Sequence, residues 1–241
     1  MQWTDDAIVL SARPHGESAC VVQLLTRDHG RHAGLVHGGQ SARARGLYQP
    51  GNQVEASWSA RLAEHLGTYR CELTRCHAAL LLDRGDRLLA LSAAAALSER
   101  ALPEREPHPE CYDGFAVLLE ALEGAHWAEV YVRWELLVLA ELGFALDLDR
   151  CAAGGSDDDL AYVSPKTGRA VSRTAGEPYR ERLLALPGFL IGRGEGGPTE
   201  VAAGLVLSGH FLRRHIFHPQ DRDLPEARER LSRQFTAQTG G

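Results

Sequence analysis

Arginine recurs early in the chain, at Arg13, Arg27, Arg31, Arg43 and Arg45, with His37 and the pair Gly38-Gly39 among them. A guanidinium is a permanent cation whose planar fork of donors matches a phosphate group. Several of them on a strand-loop-strand region, beside a flexible glycine pair, can follow a nucleic-acid backbone by charge alone. Such binding tolerates any base sequence and weakens with salt. The alternative is a charged loop that only meets solvent. Lys166 is the single lysine, so arginine supplies nearly all the cationic chemistry.

Other residue sets point away from bond-making chemistry. The chain has 11 histidines. His210, His215 and His218 surround an arginine-rich helix end, where a helix dipole favours a basic group. No G-x-S-x-G elbow, H-E-x-x-H or G-x-x-x-x-G-K-[ST] loop accompanies them. Neither an enzyme nor a cofactor is expected. Gly192-x-Gly194-x-Gly196-Gly197 carries Glu195 where a phosphate would need donors, which makes it a linker. Asp157-Asp158-Asp159 lacks the alternating layout of a Ca²⁺ loop and reads as a solvated turn.

The elements that must position these residues follow from periodicity. Within 241 residues, 44 % are hydrophobic and 24 % charged, proportions of a folded chain long enough for two compact units. Ala7–Leu10, Cys20–Leu25 and Ala33–Val36 are short apolar runs, and Asn52–Trp58 and Leu66–Leu73 alternate with period two. Five strands in about 75 residues suit a small barrel such as an OB-fold. Trp58 and Tyr69, on the last two strands, either fill its core or stack on bases.

From about Leu80 the apolar spacing becomes three and four, through Phe115, Leu118, Leu122, Val130, Trp134, Leu137 and Val138. Pro103, Pro107 and Pro109 interrupt these helices. Glu135 and Glu141 are expected to leave the buried stripe for solvent. The helix bearing Trp134 should stop at Gly143. A hairpin is expected over Tyr162–Val171, helical spacing over Pro178–Leu186, and a last helix from Thr199 to His215. The polar tail after Leu231 should fray.

The fold expected is α+β: an OB-fold barrel over residues 1–78, then an all-helical domain over 79–241 with a small insertion at 151–176. The formal charge of −6 excludes a global field that would draw the chain onto nucleic acid, so binding must come from a local patch. The start lacks a basic segment leading into an apolar one, and no window approaches a membrane span, so a cytoplasmic chain is expected. Five scattered cysteines, Cys20, Cys71, Cys76, Cys111 and Cys151, fit a reducing compartment.

Ala7–Ser18, reading AIVLSARPHGES, and Leu25–Arg31, reading LTRDHGR, resemble the opening of the bacterial RecO family. That family's pattern is close to I-V-L-x-x-R-P-x-G-E-S followed by F-T-x-x-x-G-K. Leu47-Tyr48-Gln49-Pro50 and Leu142-Gly143-Phe144 with Cys151 continue the similarity across most of the chain. The resemblance implies a recombination mediator of the nucleoid that binds single- and double-stranded DNA and anneals strands. It also implies that such a protein works with RecR to load the recombinase onto DNA covered by single-strand-binding protein.

DNA contacts are then expected at Arg13, Arg27, Arg31, His37, Arg43 and Arg45. The acidic, apolar C-terminal tail of single-strand-binding protein would be taken up near Arg133, Trp134, Phe211, Arg213 and Arg214, unless these serve helix packing alone. Two departures stand out. His37 and Gln40-Ser41 occupy places where relatives often carry Lys and an Arg-Arg pair, which lowers the expected affinity for DNA. Of the four zinc-binding cysteines of many relatives only Cys151 is present, with Gly154, Ser172 and Ala175 at the other places, so no metal is expected. The competing reading is an OB-fold scaffold for proteins that has lost DNA affinity.

Overall fold

The computed structural model describes residues 1–194 and 196–239; Glu195 of the glycine-rich stretch lies outside them. Contacts divide the chain into two compact units, Met1–Ala125 and His126–Gly241.

In the first unit, strands β1 (Gln2–His15), β2 (Ala19–Thr26), β3 (Gly30–Val36), β4 (Gln53–Ser59) and β5 (Thr68–Arg75) form a closed barrel in the order β1-β2-β3-β5-β4. This is the OB-like architecture expected. Period-two patterning builds it: Val54, Ala56 and Trp58 face inward on β4, while Glu55, Ser57 and Ser59 face out. Trp58 and Tyr69 are each only 3 % exposed, so both fill the core and neither offers a face for stacking. Helix α1 (Ala42–Leu47) lies between β3 and β4.

Three further helices, α2 (His77–Leu80), α3 (Gly85–Ala101) and α4 (Pro109–Ala121), complete this unit. Alanines 90, 93, 94 and 95 are buried on α3 and let its axis approach β1 and β2 closely. The proline-interrupted segment between α3 and α4 bridges to the barrel, where Arg105 N–H donates to the Arg31 carbonyl at 2.8 Å. Residues 79–125, which spacing alone groups with the later helices, therefore pack with the barrel.

The second unit is built on α5 (Trp127–Glu141), α7 (Pro198–Leu212) and α8 (Glu226–Thr239). The expected hairpin is present as β6 (Leu160–Val163) and β7 (Ala170–Ser172), followed by the single turn α6 (Arg173–Gly176). Residues 178–186 are not helical throughout. A 3-10 turn over Glu177–Arg182 gives way to β8 (Leu184–Ala185), whose residues pair with Val163 and Tyr162 to make a three-stranded sheet. Pairing with a distant strand overrides the local spacing there. The tail is helical as far as Thr239, because Arg228, Leu231 and Phe235 form a buried stripe in an otherwise polar segment.

Glu135 corrects the expectation of solvent exposure. It is fully buried and paired with the fully buried Arg228. Arg228 Nε and Nη2 donate to its carboxylate at 2.5 and 2.8 Å, and Nη2 also reaches the Leu205 carbonyl at 2.7 Å. The Ser208 hydroxyl donates to the same carboxylate at 2.6 Å. One charge cluster thus joins α5, α7 and α8. Removing one member strands the other in a dry interior, whereas an apolar pair of similar volume is tolerated.

Glu135→Ala should therefore lower the unfolding free energy by about 3–5 kcal/mol in urea titrations, and Glu135→Leu with Arg228→Met should recover most of that loss.

Candidate nucleic-acid interface

The β1–β2 hairpin leaves the barrel as an exposed ribbon, with His15 opposite Ala19 and residues 12–18 open to solvent. β3 ends at Val36, opposite Cys20, so the turn over residues 37–40 returns to this hairpin. The Gln40 side chain fastens it, donating to the carbonyls of Gly16 and Ala19 at 2.9 and 3.0 Å. Gly39 is needed for the approach, since a Cβ there would lie 2.1 Å from the Cys20 sulfur.

Ser41 then caps α1 by accepting from the Ala44 N–H at 3.3 Å. What reads in sequence as a flexible loop is a short capped helix. Ala44 and Leu47, with Tyr48 just beyond, pack on the barrel core, which leaves Arg43 and Arg45 on the exposed side. Among the described residues, the side chains of His37, Arg43 and Arg45 have no hydrogen-bond or ion-pair partner.

The other arginines of the group are engaged. Arg13 pairs with Glu99 at 2.6 Å. Arg27 grips both carboxylate oxygens of Asp113 at 3.0 Å, a hydrogen-bonded pair that holds the Asp113 carboxyl below its usual range. Arg31 Nε donates to the Leu102 carbonyl at 2.8 Å. Arg27 and Arg31 lie at the opposite end of β3 from His37, and a strand of 7 residues at roughly 3.3 Å per residue separates them.

Acidic groups crowd that opposite end. Asp5 accepts from the Asp28 N–H at 2.8 Å and contacts His29 Nδ1 at 2.9 Å, while the Arg27 N–H bonds the Asp6 carbonyl. Carboxylates at that density repel phosphate. The structure thus brings together Arg13, His37, Arg43 and Arg45 at one pole and places Arg27 and Arg31 at the other.

The chain matches the model of the recombination protein O N terminal over residues 1–77 and that of its C terminal over residues 82–224. The chain belongs to the RecO family. A DNA repair protein RecO from Rhodospirillum centenum is 61 % identical over 233 residues, which cover 96 % of this chain and 93 % of that one. The Rhodospirillum rubrum protein of the same name is 51 % identical over 96 % of this chain and 95 % of its own. One from Methylobacterium nodulans is 51 % identical over the full length of both. No described helix is long and apolar enough to cross a membrane.

The second unit of this RecO chain rearranges the residues singled out for a partner. Trp134 and Phe211 are buried, at 3 % and 1 % exposure. Arg133 donates to the Phe189 carbonyl and Arg213 to Glu229 at 2.5 Å, so both hold the unit together. Arg214 is exposed and donates to the Pro165 carbonyl at 2.7 Å. Sequence reasoning missed Phe144, a partly exposed ring stacked on His215 at 4.6 Å. Its signal in the sequence was its place in the Leu142-Gly143-Phe144 motif, a large apolar residue just past the helix-ending Gly143.

No three His, Cys, Asp or Glu side chains among the described residues converge as metal ligands. Cys151 stands alone, its sulfur accepting from the Ser172 N–H at 3.2 Å. Burial acts to raise its pKa. Hydrogen bonds from Ser172 and from the backbone of Ala153 and Gly155 outweigh that and bring the thiol down to about 7. Burial raises Cys20 and Cys71 instead, Cys71 to about 11.

Alkylation should therefore show one fast thiol whose rate rises with pH to a half-maximum near 7. Mass spectrometry should place the label on Cys151, and Cys151→Ala should remove the phase. A half-maximum above pH 8.5, roughly that of a free thiol, would count against the hydrogen-bonded thiolate.

Proposed function

We propose that this chain is a non-catalytic mediator of DNA repair that holds DNA by its phosphates at the barrel pole bearing His37, Arg43 and Arg45. The observation that supports this most directly is that two exposed guanidiniums there lack any protein partner among the described residues, while Arg27 is already paired with Asp113 and Arg31 donates to the Leu102 carbonyl. An unpaired guanidinium on a fixed helix meets phosphate without first breaking an ion pair. Arg13, on the adjoining ribbon and 72 % exposed at its side chain, joins the patch by exchanging Glu99 for phosphate.

Annealing follows from the same physics. Two strands repel through their phosphates, and a compact cationic pole screens that repulsion where they meet. The net charge of −6 keeps the remaining surface from competing for DNA. Family membership supports a working context with RecR and single-strand-binding protein. For the acidic tail of the latter, Phe144, His215 and Arg214 offer an exposed ring, an imidazole and a cation together in the second unit. Loading of the recombinase then needs no bond chemistry.

Fluorescence anisotropy with labelled single-stranded DNA over a range of salt tests the assignment. Arg43→Ala with Arg45→Ala should weaken binding and reduce the slope of log affinity on log salt by about 2, whereas Arg27→Ala should leave the slope nearly unchanged. Absence of binding by the parent chain even at low salt would leave the scaffold reading in place.

A further inference from the structure

The β1–β2 ribbon leaves the barrel where a third strand no longer supports it. β4 pairs with β1 only as far as Ile8, whereas β2 accompanies β1 to His15. Residues 11–15 are therefore a two-stranded arm, and a bulge between Val9 and Ser11 marks its root. Bulges bend a strand and interrupt its ladder. The Gln40 contacts with Gly16 and Ala19 tie the far end of the arm to the turn that leads into α1, so arm and cationic pole form one assembly.

Among the described residues, the polar side-chain link between this arm and α3 is one ion pair, in which Arg13 Nη2 donates to Glu99 Oε1 at 2.6 Å. The partners differ in setting. The Arg13 side chain is 72 % exposed and that of Glu99 only 14 %, so Glu99 stays with its helix and Arg13 is the member free to leave. Hydrogen bonding around the pair is incomplete. The hydroxyl of Ser11, two residues before Arg13 on the same face of β1, and that of Ser98, next to Glu99, are both closed to solvent without a partner among the described residues. Native interiors rarely leave such groups unpaired, which makes this contact a weak one to break.

We propose that Glu99 is a positioning residue that withholds Arg13 from DNA, its carboxylate filling the guanidinium fork that a phosphate would otherwise take; the inference rests on the phosphate-binding reading above. Carboxylate and phosphate engage the same fork of donors, so the two compete directly. Arg43 and Arg45 meet phosphate without an exchange. Arg13 must give up one anion for another and leave Glu99 uncompensated, so the pole grips DNA less tightly than its cations allow. A moderated grip suits a protein that has to let strands go once they have paired.

Fluorescence anisotropy on the full chain with labelled single-stranded DNA tests this. Glu99→Gln should tighten binding about twofold to fivefold, the range that a partly exposed ion pair can withhold, and Glu99→Ala should do the same by truncation. The gain should pass through Arg13: the double variant Arg13→Ala with Glu99→Gln should bind as Arg13→Ala alone does. Amide hydrogen exchange over residues 12–18 should quicken in Glu99→Gln without DNA and slow again when DNA is bound.

A gain that survived Arg13→Ala would mean that Glu99 acts by general repulsion of phosphate, and the proposal would fall while phosphate binding stood. Unchanged or weaker binding by Glu99→Gln, with faster exchange in the ribbon, would make the pair a structural staple and overturn the proposal as well. Absence of binding by the parent chain and every variant at low salt would remove the phosphate reading and this inference together.

Discussion

The first unit depends on a narrow seam. β3 and β5 run parallel and meet at Leu35 and Thr68, with the Leu35 N–H on the Gly67 carbonyl at 3.0 Å. Two glycines allow this contact. A Cβ at Gly34 would lie 2.3 Å from the Tyr69 ring, and one at Gly67 would lie 2.3 Å from the Trp58 indole. Behind the seam, Trp58 donates to the Leu66 carbonyl at 2.9 Å and the Tyr69 hydroxyl meets His32 Nδ1 at 3.0 Å. Burial, aided by the Arg105 charge, pushes His32 down to about 4, so this inner network is uncharged at neutral pH. The core aromatics hold the barrel shut and are thereby withheld from any ligand.

Closure determines how charge is distributed. Once β3 is fixed between β2 and β5, its two ends carry different loops. One end meets carboxylates from β1 and α4, and Arg27 is consumed there by Asp113. The other end is fastened by Gln40 and presents a helix with two free arginines. A chain of net negative charge can therefore carry a local cationic site, because screening over about 8–10 Å makes nearby charges count more than distant ones. Gln40 has a structural role at this pole, holding the turn by its contacts with the Gly16 and Ala19 carbonyls.

The second unit rests on another kind of constraint. The Glu135–Arg228 pair is fully buried and is held by groups from three helices. Such a pair contributes less to stability than apolar residues of equal volume would, but it penalises any arrangement that separates its members. It fixes which face of α8 meets α5 and α7. In the insertion, the space near Cys151 is organised by hydrogen bonds to one sulfur, with Ser172 bonding the sulfur by its N–H and the Ala175 N–H by its hydroxyl. Hydrogen bonds from the surrounding backbone gather the local chain around that sulfur.

Alternation and spacing were enough to read the barrel strands, the helices α3, α4 and α5, the stop at Gly143 and the β6–β7 hairpin, because each depends on local periodicity and on where glycine or proline sits. Four short motifs in order sufficed for the family, and composition excluded a global field for nucleic acid. Tertiary structure alone decided which arginines are free. Arg27 and Arg43 look alike in sequence, and only the approach of Asp113, 86 residues away, neutralises the first. The same holds for Glu135, 93 residues from the Arg228 that permits its burial, and for β8, whose partner strand sits about twenty residues earlier. A charged side chain's availability depends on what the fold places within a few ångströms of it, and linear spacing does not encode that distance.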